Sequence, residues 1–584
     1  MLLRETIRFF SQHRTLYCYL CLSLWIFLLI AGMYKYISTA DSQSIFSAHQ
    51  YQPFAVEDEM TKLKKLQTDC NPYRTIVRKD DGGIFDEWKL QGVIMLTRHG
   101  DRGPMAHVRG INTIDCGAGR QTNVLLNKYR TFLLNTTVNA PAGHYIYNKN
   151  GPFHNFPLLP AFSKACLLGQ LTYNGIAQML QLGDLLRSTY AHSLGLLGKP
   201  ILAPKLLNTT QSQTTYPPEE IIIYSTRYRR TFQSAMALMY AFLPERWLSL
   251  NLQESHSLAF CFADCACPKA DQLSNLLAKE FAQELNKHPT VAAVVQWIGS
   301  NVLQNPTPKM QPLEVRDAIL SLICHNAQLP CRRSAPYYMG TTDNDRTTVT
   351  TTESNDLINI DQDDNNVNSA VNMVQGDSQS NRIIDPDSDA MDSEIEGCVE
   401  ASHVTALMSY TQWQGKREAQ HKLSRQQGLL RAYGLIRNIV NHMLKIISDN
   451  KVKFVLYSGH DRTFQFLLTA LGIFKPTENG HLPKMSYFIP YASRIAFEVY
   501  KSDAGNGDNA EYYFRVINNG QDITRMIEFC EGGRSLRINK NARGSKADLC
   551  PIENIIRFIH DDYFTLFNAT NQKDACSMQK NNEF

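Results

Sequence analysis

Gly92-Val93-Ile94-Met95-Leu96-Thr97-Arg98-His99-Gly100-Asp101-Arg102-Gly103-Pro104 is the stretch on which the reading of this chain turns. Its first six residues are mostly apolar and partly β-branched, and they read as a buried strand. Residues just beyond such a strand sit where open α/β sheets bind ligands. There the chain holds one imidazole, His99, between two guanidinium groups, Arg98 and Arg102. A guanidinium is a planar, permanently charged fork that matches phosphate oxygens. A neutral imidazole among such forks can attack phosphorus and carry the phosphoryl group as phosphohistidine. The stretch predicts phosphoryl transfer without a metal.

Two more strand ends supply what the first lacks. Lys453-Phe454-Val455-Leu456-Tyr457-Ser458 reads as a buried strand that runs into Gly459-His460-Asp461. Expelling an alkoxide needs a proton donor, and Asp461 is the candidate acid, with His460 donating to the phosphate. Ile221-Ile222-Ile223-Tyr224-Ser225-Thr226 reads as a third strand, followed by a helix from Thr231 to Leu243 that Pro244 stops. An arginine at that turn can share a phosphate with the helix N-terminus. Arg227, Arg229 and Arg230 compete for the role, and spacing alone does not choose.

Arg98-His99-Gly100-x-Arg102-x-Pro104, Ser225-Thr226-x-x-x-Arg230-Thr231 and Tyr457-Ser458-x-His460-Asp461 together resemble the histidine acid phosphatases. Gly169-Gln170-Leu171-Thr172-x-x-Gly175-x-x-Gln178 resembles another landmark of that family. The resemblance runs from about Trp88 to the C-terminus, broken by one insertion. It implies His99 as nucleophile, Asp461 as acid, and Arg98, Arg102, Arg230 and His460 as phosphate contacts, with no cofactor. It also implies an α/β fold, a sheet flanked by helices with an inserted, largely helical cap over roughly 245–430 of a catalytic region 88–584. Two positions depart from the family pattern. Arg227 stands where an acidic residue is common, and Arg462 where a small or hydroxyl residue is usual.

Phe260-Cys261-x-x-x-Cys265-x-Cys267-Pro268, Cys324-His325-Asn326, Cys550-Pro551-x-Glu553-Asn554 and Asp574-Ala575-Cys576 narrow the likeness. So does Asn519-Gly520-x-Asp522-x-Thr524. These resemble the branch of the family that clears phosphate from xylose in the proteoglycan linkage glycan. That resemblance implies a Golgi enzyme, phosphorylated xylose as substrate, and glycosyltransferases or a xylose kinase as neighbours. The rivals are a broad lysosomal or endosomal acid phosphatase and a non-catalytic phosphoglycan-binding protein. His99 and Asp461 are both present, which argues against the last.

With 584 residues, 43% of them hydrophobic, the chain is long enough for two or three structural units. A net charge of +4 on that length gives no case for nucleic acid. No zinc-finger spacing, dinucleotide glycine pattern or Walker loop is present.

Residues 16–34 carry no charge, and as a helix would span roughly 28 Å, close to a bilayer's hydrocarbon thickness. Arg4, Arg8 and Arg14 precede them and Lys35 follows. The positive-inside rule then predicts a type II anchor, with a cytosolic tail over 1–15 and a luminal remainder. The competing reading is a signal peptide cleaved after Ser38-Thr39-Ala40, which the length of the apolar run disfavours. Twelve of the 14 cysteines lie beyond the anchor, as an oxidising lumen would use them, and disulfides are expected in unspecified pairs. Asn135, Asn208 and Asn568 begin Asn-x-Thr acceptor sites.

The polar segment 35–87 reads as a stem, with a short helix over 57–67. Thr172 reads as the N-cap of a helix whose Ile176, Met179, Leu180, Gly183 and Leu186 share one face. Residues 341–397 hold 14 acidic residues against Arg346 and Arg382, and disorder is expected there. Arg534, Arg537, Lys540, Arg543 and Lys546 form a basic run that could hold sulfated or uronic-acid-bearing chains electrostatically, with a solvated loop as the usual alternative.

Overall fold

The structure, a computed structural model, describes residues 66–83, 88–111, 123–138, 151–161, 166–197, 219–262, 265–333, 395–475, 485–502, 511–539 and 546–577, with a few isolated positions. The chain separates into two units, Met1–Thr61 and Lys62–Phe584. The expected tail and, apart from Trp25, the expected anchor lie outside the described residues. Among those residues, no helix is long and apolar enough to cross a membrane.

In the second unit, nine strands among the described residues build one sheet. In chain order they are β1 (Trp88–Arg98), β2 (Ile221–Thr226), β3 (Leu252–Ser255), β4 (Phe454–Gly459), β5 (Arg494–Ser502), β6 (Tyr512–Asn518), β7 (Gln521–Asp522), β8 (Leu536–Asn539) and β9 (Lys546–Pro551). Their order is β8-β9-β6-β5-β1-β4-β2-β3, with β7 on β6. β1, β4, β2 and β3 run parallel; β5 is antiparallel to β1, and β6 is antiparallel to β5.

The strands read as unbroken apolar runs because both faces are covered. Side chains alternate across a strand. Ile94 and Leu96 of β1, with Val455 and Tyr457 of β4, enter one core; Val93 and Met95, with Phe454 and Leu456, enter the other. Among the helices are α1 (Val124–Val138), α2 (Tyr173–Leu186), α3 (Arg229–Phe242), α4 (Pro268–Asn286), α5 (Pro289–Val302), α6 (Pro312–Cys324), α7 (Ala401–Gln420), α8 (Lys422–Ser448) and α9 (Asp461–Ala470). α2 and α3 cover the second face, and α8 and α9 the first. α3 starts at Arg229, two residues before its expected first residue, and ends at Phe242, ahead of Pro244.

Two expected boundaries are corrected. The helical cap does not extend over 245–430: β3 is a strand of the sheet, and Ala270, Leu273, Leu429 and Leu430 belong to the sheet-side core. The helical subdomain is α5, α6 and the first half of α7, with its own core of Val295, Ile298, Val315, Ile319, Val404 and Leu407. Nor is 35–87 a stem to its end. Cys70 is buried and disulfide-bonded to Cys324, and buried Asp81 pairs with Arg494 at 2.7 Å. A polar segment reads as a linker by composition, but here its polar groups are taken up by partners hundreds of residues away. Within the helix expected over 57–67, the described positions Thr61, Lys64 and Leu66 are helical, and a 3₁₀ turn, Gln67–Cys70, follows; the other positions lie outside the described residues.

Twelve cysteines are joined as Cys70–Cys324, Cys116–Cys166, Cys261–Cys265, Cys267–Cys576, Cys331–Cys398 and Cys530–Cys550. Most of the acidic stretch 341–397 lies outside the described residues; Ile395–Cys398, at its end, pairs antiparallel with Cys331–Arg333. Asn135 on α1 and Asn568 are exposed, and Asn208 lies outside the described residues.

Candidate active site

Strand register brings the three motifs level. Arg98 lies opposite Gly459, and Ser458 lies between Thr97 and Ser225. The carboxyl ends of β1, β4 and β2 therefore deliver His99, His460-Asp461 and the Thr226–Arg230 turn to one place. Close approach of backbones completes it: a Cβ on Gly100 would stand 2.3 Å from the carbonyl oxygen of Gly175 in the first turn of α2. Thr172 caps that helix, its hydroxyl accepting from the N–H of Gly175 at 3.0 Å, and donates to Asp101 at 2.6 Å.

His99 is buried. Its Nδ1 lies 2.8 Å from the carbonyl oxygen of Gly100. A carbonyl only accepts, so Nδ1 carries the hydrogen and the lone pair of the neutral ring is on Nε2. Burial, then the charges of Arg230 and Arg98, hold the pKa of His99 well below the usual histidine range. The ring stays neutral, the state a nucleophile needs.

The cations surround it differently. Arg98 lies over the ring of Tyr491, 4.2 Å from its centroid, donates to the carbonyl of Ile489, and approaches Asp461 at 3.2 Å. Arg102 forms a two-pronged pair with Asp317 of α6, at 2.8 and 3.2 Å. Of the three arginines at the third strand end, Arg227 is exposed and pairs with Glu254, and Arg229 is exposed. Arg230 is half-buried over Tyr228, and its pKa is drawn down to about 10 by burial and by Arg102. The buried Nε–H groups of Arg98 and Arg230 have no hydrogen-bond partner among the described residues.

His460 caps α9 and is buried, its ring centroid 5.5 Å from that of His99. Its Nε2 faces the hydroxyl of Thr226 at 2.9 Å, a contact that a phosphate held by His460 would share or displace. Burial and Arg230 pull its pKa down to about 3. Asp461 opens α9 with its side chain 41% exposed. Burial raises its pKa, but Arg98 and Arg102 outweigh that and hold it well below the carboxylate range. Without phosphate it is an anion. Its use as an acid therefore requires a dianion to neutralise those cations first.

The structure thus brings together the six residues proposed from sequence: His99, Asp461, Arg98, Arg102, Arg230 and His460. It adds Tyr491, beneath two of the arginines, and Asp317, which reaches Arg102 from the helical subdomain. It also adds a buried pair, Asp101 with His325 at 3.0 Å, which ties the His99 loop to the end of α6. His325 lies in one of the quoted motifs, yet nothing local to it signals a partner 224 positions earlier.

A strand-end imidazole amid arginines, with a carboxylate at the head of the next helix, defines a phosphoryl-transfer site. Residues 89–519 match the model of the histidine phosphatase superfamily, branch 2. The chain belongs to that family and is a phosphoric monoester hydrolase. It is 24% identical over 515 residues to human 2-phosphoxylose phosphatase 1, covering 87% of this chain and 85% of that one. It is 23% identical over 531 residues to the Xenopus tropicalis protein of the same name, covering 90% and 85%. Among solved structures, it resembles a Klebsiella phytase (TM-score 0.40, 14% identity, 84% of this chain and 100% of that one). A phytase from D. castellii gives a TM-score of 0.39 at 12% identity, with 88% and 87% covered.

Proposed function

We propose that this chain is a luminal phosphomonoesterase that works through a phosphohistidine at His99 and removes the 2-phosphate of xylose in the proteoglycan linkage glycan. The observation that carries the chemistry is the Nδ1 contact with Gly100, which leaves the Nε2 lone pair to attack. The names of the vertebrate relatives support the substrate.

Nε2 attacks phosphorus in line, and the bond from phosphorus to the sugar oxygen breaks. Arg98, Arg102 and Arg230 stabilise the phosphoryl oxygens, and the leaving oxygen takes the proton of Asp461. Water then attacks phosphorus, giving a proton to the Asp461 carboxylate, and the phosphorus–Nε2 bond breaks, freeing inorganic phosphate and neutral His99. Losing one charge-stabilising donor costs roughly 10²–10³ in rate.

Placement follows from sequence: the uncharged run 16–34 would anchor a type II protein in the Golgi membrane, near the glycosyltransferases and xylose kinase that handle the same glycan. Asn135 and Asn568 are exposed, as glycosylated residues would be.

The test is phosphate release, in excess chelator, from an aryl phosphate and from a linkage glycan bearing 2-phosphoxylose, with His99→Ala alongside. Preference for the glycan, lost in the variant, supports the reading. Equal turnover of both points to a broad acid phosphatase. Turnover of neither, with tight glycan binding, points to a phosphoglycan-binding protein.

A further inference from the structure

A cavity of about 180 Å³ is lined by Arg98, Asp461 and residues from four other segments, with His99 not among its lining. Asp461 must face the leaving oxygen to protonate it, so the space on its open side receives the leaving group. That space is smaller than the roughly 300–1,000 Å³ of a pocket for a drug-sized ligand, and suits one ring.

Its walls are specific in character. Tyr487 and Phe488 present half-buried aromatic surface. The other charges arrive already matched. Arg316 pairs with Asp69 at 3.0 Å and lies over Phe488, and Asp317 is taken by Arg102. Glu418 of α7 lines the cavity with Tyr487; burial raises its pKa, against the opposing charge of Arg462. Past Arg98, then, Arg316 is paired with a carboxylate, and exposed Arg462 lies within charge range of Glu418. Four carboxylates, Asp69, Asp317, Glu418 and Asp461, line the cavity against Arg98, Arg316 and Arg462, so a second phosphate on the leaving group would gain no net cationic charge there. Aromatic faces and acceptor oxygens suit a hydroxyl-bearing ring, whose C–H face is apolar and whose rim donates hydrogen bonds.

We infer that this cavity is the leaving-group subsite, that it takes an uncharged, hydroxyl-rich ring carrying a single phosphate, and that Glu418 is its selectivity residue. The inference rests on the phosphatase reading above and narrows its substrate class. It also gives Arg462, one of the two departures from the family pattern, a place: it offsets Glu418 instead of extending the phosphate site.

The experiment measures kcat/KM of the purified protein, wild type and Glu418→Gln, on a xyloside 2-phosphate, an aryl phosphate and inositol hexakisphosphate. Wild type should prefer the xyloside over the hexakisphosphate by about a hundredfold or more, since like charges placed together cost several kcal/mol. Glu418→Gln should lower the ratio of xyloside to aryl phosphate by about tenfold, mainly through KM, as expected for weakening a charged hydrogen bond. Glu418→Lys should raise the hexakisphosphate rate relative to the xyloside, a gain that a merely unfolded variant cannot give. Hexakisphosphate turned over as well as the xyloside, or a ratio unmoved by both variants, would overturn the subsite while leaving the phosphatase reading intact. Failure of wild type to turn over even the aryl phosphate would instead remove the reading beneath it.

Discussion

The carboxylate of Asp461 stands 3.2 Å from the guanidinium of Arg98, so the residue proposed as the acid begins the cycle ionised and paired. Phosphate changes that balance. A dianion among Arg98, Arg102 and Arg230 cancels the charge that depresses Asp461, and its own charge favours the protonated acid.

Asp461→Asn should therefore separate substrates by leaving group. A sugar alkoxide needs the proton, so turnover of a xyloside phosphate should fall about 10²–10⁴-fold. Nitrophenolate leaves without assistance, so nitrophenyl phosphate should lose far less. Equal losses on both would show that Asp461 acts by charge or position and not as an acid.

His442 gives the fold a pH dependence apart from the chemistry. It is buried beside the hydroxyl of Tyr224, and burial, then Lys445, lowers its pKa to about 4. The unfolded chain takes up a proton near pH 6.5 that the folded chain refuses until about 4. Stability is thus full above the unfolded value and is lost as pH falls from 6.5 towards 4, by up to about 1.4 kcal/mol per unit. His460 has the same sign. Thermal melts should show Tm dropping over this window, with a shallower drop in His442→Gln. Identical slopes would assign the loss to other groups.

The strand ends were legible because each apolar run stops where a polar motif begins, and register then does the assembling. The Thr172 cap was legible for a similar reason, since a hydroxyl ahead of an amphipathic run is a local signal. Arg230 was not legible from spacing; the family resemblance selected it, and the structure shows its neighbours Arg227 and Arg229 facing solvent. Asp317, Tyr491 and His325 were missed because they act on residues hundreds of positions away, and period and capping do not encode such partners. The stem boundary failed for the same reason.

A chain beginning at Trp88 should fail to fold, although the family motifs all lie beyond that point. It loses the Cys70–Cys324 bridge, worth about 2–5 kcal/mol in small secreted domains. It also leaves Arg494 buried without Asp81, a loss of about 3–5 kcal/mol. A chain beginning at Lys62 keeps both. Secreted yield and Tm of the two forms decide the matter: equal behaviour would return 62–87 to the role of a linker.

Gly175→Ala tests the backbone contact beneath the His99 loop. In an ordinary helix this change gains about 1 kcal/mol. Here the added Cβ would stand 2.3 Å from the carbonyl oxygen of Asp101 and 2.8 Å from its nitrogen, and backbone cannot swing aside as a flexible side chain can. Either α2 or the His99 loop must shift. Overpacking of this kind costs about 1–3 kcal/mol, and an ångström of misplacement at a reacting group can cost about 10²-fold in rate. The variant should therefore melt lower and lose kcat on aryl phosphate. Gly183→Ala is the comparison on the same helix: its Cβ would meet the carbonyl oxygen of Leu238 in α3 at 2.1 Å, far from the site. It should lower Tm by a similar amount with less loss of kcat per degree. If the two variants lose activity in the same proportion to stability, the contact between Gly175 and the His99 loop supports the fold and has no separate hold on catalysis.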